Sequence, residues 1–252
     1  MNAFLALLVR ELFAFFVTPL AWVLLVVFLV VQGLHFTLLV QHFSSAGDAA
    51  SDQSPVQAFF GNTAILYLVL FLLVPPLTMR LFAEERRSGT LEALLTAPIT
   101  ASAVVLAKYL AALCTYVSLW LPTVLYLVVL RQTGAIDWHV AATSYLGVFL
   151  VGAAYLAVGL LMSALTSSQF IALVLTALVM LVLFIVGIAE FVAPPGSVLQ
   201  GVAHHVSMWS QMASFASGLI DTRHLVFDGS IVVTCLFVTV RVVDSWRLDG
   251  RA

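Results

Sequence analysis

Apolar residues along this chain come in long unbroken runs, without the two-residue or 3.6-residue alternation of a water-facing fold. Leu12 to Val31 is 20 residues without a charge, Ala58 to Met79 and Tyr109 to Leu130 are 22 each, Val140 to Leu165 is 26, and Phe170 to Ala189 is 20. A helix needs about 20 apolar residues to cross a bilayer core, so each run predicts a span. A sixth run, Gly229 to Val240, has only 12 residues before Arg241. At about 1.5 Å per residue it falls short of a core of about 30 Å. It reaches full length only if Arg241 snorkels to the headgroups and the helix continues to Trp246. The pattern predicts an all-α integral membrane protein with six transmembrane helices, forming a single transmembrane domain over residues 1–252.

The intervals between runs are unequal. Gln41 to Gln57 is a polar loop with turn-forming Gly, Ser and Pro, and Thr166 to Gln169 is a tight turn. Phe191 to Ile220 is uncharged, contains Pro194-Pro195-Gly196 and His204-His205, and is too polar for a straight span. It predicts a pair of short re-entrant or interfacial helices at the outer face. At the other end, Phe4, Leu5, Leu8, Leu12, Phe15 and Phe16 recur at helical spacing with Arg10 and Glu11 on the flank, before Pro19 interrupts. That spacing predicts an N-terminal interfacial helix bent into the membrane at Pro19. The competing reading is one long tilted helix.

Charge placement orients the chain. With both ends on one side, that side holds Arg10, Arg80, Arg86, Arg87, Lys108, Arg241, Arg247 and Arg251, and the other holds only Arg131 and Arg223. The bias places both termini in the cytoplasm and the chain in the inner (plasma) membrane. The first run exceeds the roughly 7–15 apolar residues of a signal peptide, so it reads as an uncleaved anchor.

Composition narrows the classes. Apolar residues make up 63% of the 252 and charged residues 9%, against about 25% charged in a soluble domain. A net charge of −2 carries no basic patch for nucleic acid. Cys114 and Cys235 sit apart inside apolar runs and read as small buried hydrophobes. No Asp, Glu, Lys or Arg falls near the middle of the first five runs, which argues against an ion-coupled transporter. The lone lysine, Lys108, has no glycine-rich loop before it, and HExxH and GxSxG are absent. The sequence therefore predicts a protein that is not itself an enzyme.

One segment carries specific chemistry: Met79-Arg80-Leu81-Phe82-Ala83-Glu84-Glu85-Arg86-Arg87-Ser88-Gly89-Thr90-Leu91-Glu92-Ala93-Leu94-Leu95-Thr96-Ala97-Pro98. Arg80 to Arg87 reads as a charged, solvent-facing extension of the second span. Gly89 then breaks it, Thr90 caps a short new helix, Glu92 sits in its first turn, and Pro98 ends it. Leu91, Leu94 and Leu95 form one apolar stripe. Eight residues hold no helix alone in water, so something must receive the stripe: the bilayer surface or a partner's groove.

The pattern E-E-R-R-x-G-T-L-E-x-L-L-x-x-P resembles the signature that follows the second span in ABC-2-type transporter permeases. Val17-Thr18-Pro19-Leu20-Ala21-Trp22 resembles the start of that family's first span, and Gly152-Ala153-Ala154-Tyr155-Leu156-Ala157-Val158-Gly159-Leu160 resembles its fourth. Phe215-Ala216-Ser217-Gly218-Leu219-Ile220-Asp221-Thr222-Arg223 resembles the segment before its sixth. The nearest branch looks like the gliding-motility permeases and their relatives in nitrous-oxide-reductase maturation. The resemblance implies a transmembrane permease subunit without a cofactor of its own, working with a cytoplasmic ABC ATPase that binds ATP and Mg. It further implies a second copy or a paralogous permease, and allows an accessory protein beyond the membrane. Under it, Glu84, Glu85, Arg86, Arg87, Gly89, Thr90, Leu91, Glu92, Leu94 and Leu95 form a coupling helix and its flanks, docked on the ATPase. A departure is Phe227-Asp228-Gly229-Ser230, where an aromatic run into the last span is expected.

Two other functions stay open on the residues alone. His205, Met208 and Met212 fall at i, i+3 and i+7, a spacing that would put imidazole and thioether on one helical face, suited to copper(I) in an outer-face copper- or haem-handling protein. A structural subunit of a motility complex is the other. Asn62, Thr63, Thr176 and Gly187 are candidate pathway positions whose competing reading is close helix packing.

Overall fold

The computed structural model describes residues 3–46, 54–61, 63–90, 99–133, 136–194 and 196–249. They are mostly helical, with no strand among them. Six helical segments are long and apolar enough to cross a membrane: Pro19–Ser45, Ala64–Ser88 (whose helix proper ends at Thr78), Ala101–Gln132, Trp138–Leu165, Gln169–Val192 and Thr222–Trp246. They are called the first to sixth spans below. The ends that carry Arg10, Arg80, Arg86, Lys108 and Arg241 share one face, called the basic face.

The fourth span is the hub. Of its window 67% is buried inside the protein, against 22% for the first and fifth spans and 17% for the sixth. Three glycines allow this centrality. A Cβ at Gly147 would come within 2.6 Å of the Phe215 ring, one at Gly152 would strike the Tyr116 ring, and one at Gly159 would strike the Thr78 side chain. Lipid tails are as apolar as leucine, so helices in a bilayer associate through such close packing and through hydrogen bonds between them. Tyr109 and Tyr116 of the third span supply the bonds, donating to Ala153 O and Val148 O of the fourth, both at 3.1 Å.

The first and last spans differ from expectation in detail. A bend at Thr18 separates the N-terminal helix Ala3–Val17 from the first span, which opens on Pro19. Proline suits the first helical position because its missing N–H has no partner there anyway. Leu7, Glu11 and Phe15 form the buried face of the N-terminal helix, so Glu11 points inward and does not flank, while Leu5 and Phe16 are exposed. The sixth helix begins at Thr222, seven residues before Gly229. The helix runs unbroken through Asp228, which is 3% exposed. Cys114 is exposed and Cys235 half-buried, which corrects the expectation that both are buried.

Between the fifth and sixth spans lie two short helices, Val198–Val206 and Met208–Ala216. Ser207 separates them in an extended conformation, and Ser197 caps the first by accepting from Gln200 N at 3.1 Å. Thr143 of the fourth span donates to Phe215 O at 2.8 Å and ties the second helix down. Thr176 is buried and donates to Ala172 O, and Gly187 packs against Ser207, so both serve packing here. Asn62 lies outside the described residues, as does the side chain of Thr63.

Replacing Gly159 with valine should cost about 1–3 kcal/mol by overpacking the hub. Gly201→Ala meets open space on a helix and should be neutral or stabilising by up to about 1 kcal/mol. Thermal unfolding of the purified protein in detergent separates the two.

Candidate coupling site at the basic face

The second span does not run straight into the charged segment. Pro75 and Pro76 lie in its last turns and the helix ends at Thr78. Residues 79–82 then turn, with Leu81, Phe82 and Ala83 buried, and Ala83–Ser88 forms a separate short helix. Ser163 of the fourth span holds this turn. Its hydroxyl accepts from Phe82 N (3.1 Å) and Ala83 N (3.2 Å) and donates to Met79 O (3.2 Å).

The turn aims Glu85 inward. Its Oε1 lies 2.9 Å from Lys108 Nζ and 3.3 Å from Arg10 Nη2. Lys108 Nζ also meets Glu11 Oε2 at 3.2 Å, and Arg10 Nη2 meets Glu11 Oε1 at 2.6 Å. Two cations and two carboxylates thus alternate around a closed ring, with no net charge. Lys108 stands two turns inside the third span rather than at its end, and its side chain is only 1% exposed. Its ammonium also lies 5.3 Å from the Phe82 ring centroid. The hydrogen-bonded Glu11 carboxylate holds the Arg10 guanidinium above its usual value, although Arg10 itself is more than half exposed.

The remaining charges of the signature divide. Arg86 donates to Ala164 O at 3.2 Å and lies 4.8 Å from the Trp246 ring centroid, joining the ends of the fourth and sixth spans. Arg80 pairs with Glu84 at 2.9 Å, one helical turn away. Arg87 is exposed and makes no ion pair among the described residues. Sequence reasoning grouped these charges as flanks for a partner. The structure turns Glu85 and Arg86 to internal work and leaves Glu84 and Arg87 toward solvent. Gly89 ends the short helix at φ 72°, the left-handed reversal expected of it. Thr90 is exposed, and Leu91, Glu92, Leu94 and Leu95 lie outside the described residues.

The copper-binding spacing does not survive. The break at Ser207 puts His205 on one short helix and Met208 and Met212 on the next. His205 is exposed with Nδ1 against Gly201 O, whereas both methionines are buried. Among the described residues no three of His, Cys, Asp and Glu gather as a metal-holding group.

A family model described as ABC-2 family transporter protein matches residues 36–222. The chain belongs to that family. The match takes in the turn, Glu85, Lys108, Ser163 and both short helices, and leaves out the N-terminal helix that supplies Arg10 and Glu11. Members of the ABC-2 family are multi-pass transmembrane subunits, generally without catalysis of their own. No curated protein matches the chain.

Within this ABC-2 subunit the ring of charges should dominate local stability. Lys108→Ala takes the buried cation from the Glu11 and Glu85 carboxylates and should cost about 3 kcal/mol. Arg10→Ala, at an exposed position, should cost about 1 kcal/mol or less. Lys108→Met combined with Glu11→Gln and Glu85→Gln should recover most of the loss. Thermal inactivation of the purified variants checks the order.

Proposed function

We propose that this chain is the permease subunit of an ABC-2-type transporter, coupling ATP hydrolysis by a separate cytoplasmic ATPase to export or to work on an envelope substrate. One observation supports the reading: the segment running into residues 91–98 is rooted through Glu85, which pairs with the buried Lys108 of the third span and with the exposed Arg10 of the N-terminal helix. A lever transmits force only if its base is stiff, and in this reading the ring of charges stiffens that base.

In this reading the basic face is cytoplasmic, following the lysine and arginine bias, and the membrane is the inner membrane. Thr90 to Ala97 forms the coupling helix, with Leu91, Leu94 and Leu95 as apolar anchors in a groove of the ATPase. Glu84, Arg87 and Glu92 make the outward charge contacts, while Glu85, Arg86 and Gly89 set the helix's direction. ATP and Mg bind in the ATPase. The N-terminal helix lies at the inner interface and the two short helices re-enter from the outer side. A second copy or a paralogous permease completes the pathway. The gliding-motility and nitrous-oxide-reductase-maturation branch is the nearest relation we infer, on the motif alone.

ATP-closed and open ATPase dimers would hold the coupling helices in two positions and so bias two arrangements of the spans. Leu91→Ala/Leu95→Ala should abolish ATPase binding, since each buried leucine is worth about 1.5–3 kcal/mol. Gly89→Val should misdirect the helix. Lys108→Met should keep ATPase binding and lose stimulation. Pulldown and ATPase assays in proteoliposomes decide: full binding and stimulation by both the leucine and the glycine variants would overturn the coupling role. Cross-linking in membranes should also trap a dimer, and monomer alone in the presence of the ATPase would refute the paired arrangement.

A further inference from the structure

The face opposite the basic one holds buried polar groups that the coupling function does not use. Asp228 of the sixth span is 3% exposed, and its Oδ2 has no hydrogen-bond partner. It lies about 9 Å along the helix from Thr222, facing a cavity of about 10 Å³ shared with Tyr155, Gln211 and Phe227. That volume holds about one water molecule. Gln211 is 2% exposed, lines the same cavity and donates its Nε2 to His205 O at 3.4 Å, while the Tyr155 hydroxyl lies 3.4 Å from that of Tyr67. No lysine or arginine lines the cavity among the described residues. A carboxylate here is one positive charge short, and an isolated charge away from water is costly unless compensated.

A route from solvent leads toward it. His204 is half-exposed and pairs with Glu190 at 2.6 Å. Its ring centroid is 6.5 Å from that of His224, which is 4% exposed and has an unpartnered Nδ1. His224 stands one helical turn before Asp228, the spacing at which side chains share a helix face. Asp221, Arg223 and His205 also lie near His224, toward the surface. Intramembrane ionisable groups that face the protein interior mark ion and proton pathways.

We propose that Asp228, with Gln211, Tyr155 and one water, is a proton-binding site filled from the face opposite the basic one by way of His204 and His224. A proton is the smallest cation that supplies the missing charge, and the cavity has no room for a hydrated metal ion. Solvent supplies the proton, the imidazoles pass it on, and it ends as an O–H on Asp228; only N–H and O–H bonds form and break. This site stands without any assumption about the ATPase.

Infrared spectroscopy of the purified full chain in lipid nanodiscs tests it. The protein should show the C=O stretch of a protonated carboxyl that grows as pH falls and disappears in Asp228→Asn. With isotopically labelled aspartate the band should shift in the natural sequence. In Asp228→Glu it should survive without that shift, which keeps the test usable if the asparagine variant misfolds. His224→Leu should keep the band and slow its hydrogen–deuterium exchange several-fold. A spectrum unchanged by both Asp228 substitutions overturns the site, and unchanged exchange in His224→Leu overturns the route.

Discussion

A lysine ammonium buried at 1% exposure inside a membrane-spanning helix is the constraint from which the basic face follows. Lys108 cannot be desolvated alone, so two carboxylates must be brought to it, and they come from opposite directions. Glu11 requires the N-terminal helix to lie against the third span with that residue facing in. Glu85 requires the chain after the second span to turn instead of continuing into solvent. Arg10 then balances the second negative charge. The turn in its own right exposes backbone N–H groups at Phe82 and Ala83, and the Ser163 hydroxyl answers them. Arg86, displaced to the other side of the short helix, reaches Ala164 O and Trp246. One buried cation thereby fixes the relation of the N-terminal helix to the second and third spans, and its neighbours extend the tie to the fourth and sixth.

The bilayer half of the molecule obeys a different rule. Burying apolar area drives nothing between lipid and leucine, so what decides which helices touch is how closely backbones approach. Gly147, Gly152 and Gly159 recur along one helix, each receiving a different neighbour's side chain: Phe215, Tyr116 and Thr78. The fourth span is central because it carries these recesses. The first, fifth and sixth spans have fewer such contacts and present Val, Leu, Ile and Phe outward, to lipid or to another chain.

What was legible in the sequence sorts by range. Run length predicted five spans, because crossing a bilayer is a requirement on consecutive residues; the sixth run was too short and needed Arg241 to snorkel. Pro19, Gly89 and the Phe191 to Ile220 interval were readable because their effects act on the local backbone. The turn at 79–82 was not, since it depends on Ser163, more than eighty residues away. Nor was the inward aim of Glu85, whose partners come from residues 10 and 108. At the start of the sixth span, Asp228-Gly229 has the composition of a helix breaker, yet the acid sits in mid-helix beside an interior cavity. His205, Met208 and Met212 kept a helical spacing on paper across Ser207, one extended residue that put the imidazole outside and the thioethers inside. The leucine stripe at 91–95 lies outside the described residues and stays a reading of its pattern.

The two ends of the molecule differ in how well their polar groups are satisfied, and the difference has a mechanical consequence. At the basic face four charges close a neutral ring and Ser163 serves three backbone groups. There, Glu85 Oε2 is the buried side-chain atom that lacks a partner among the described residues. At the opposite face Glu190 Oε2, Ser207 Oγ, His224 Nδ1 and Asp228 Oδ2 all lack one. An unmade hydrogen bond is a penalty already present in the packed state, and water relieves it when helices part. Separating the helices at the basic face forfeits made bonds and strands charges, whereas separating them at the other face lets water satisfy atoms that are now bare. By that count the far end gives up less when its helices part, although the Thr143 bond to Phe215 O and the His204–Glu190 contact would still have to break.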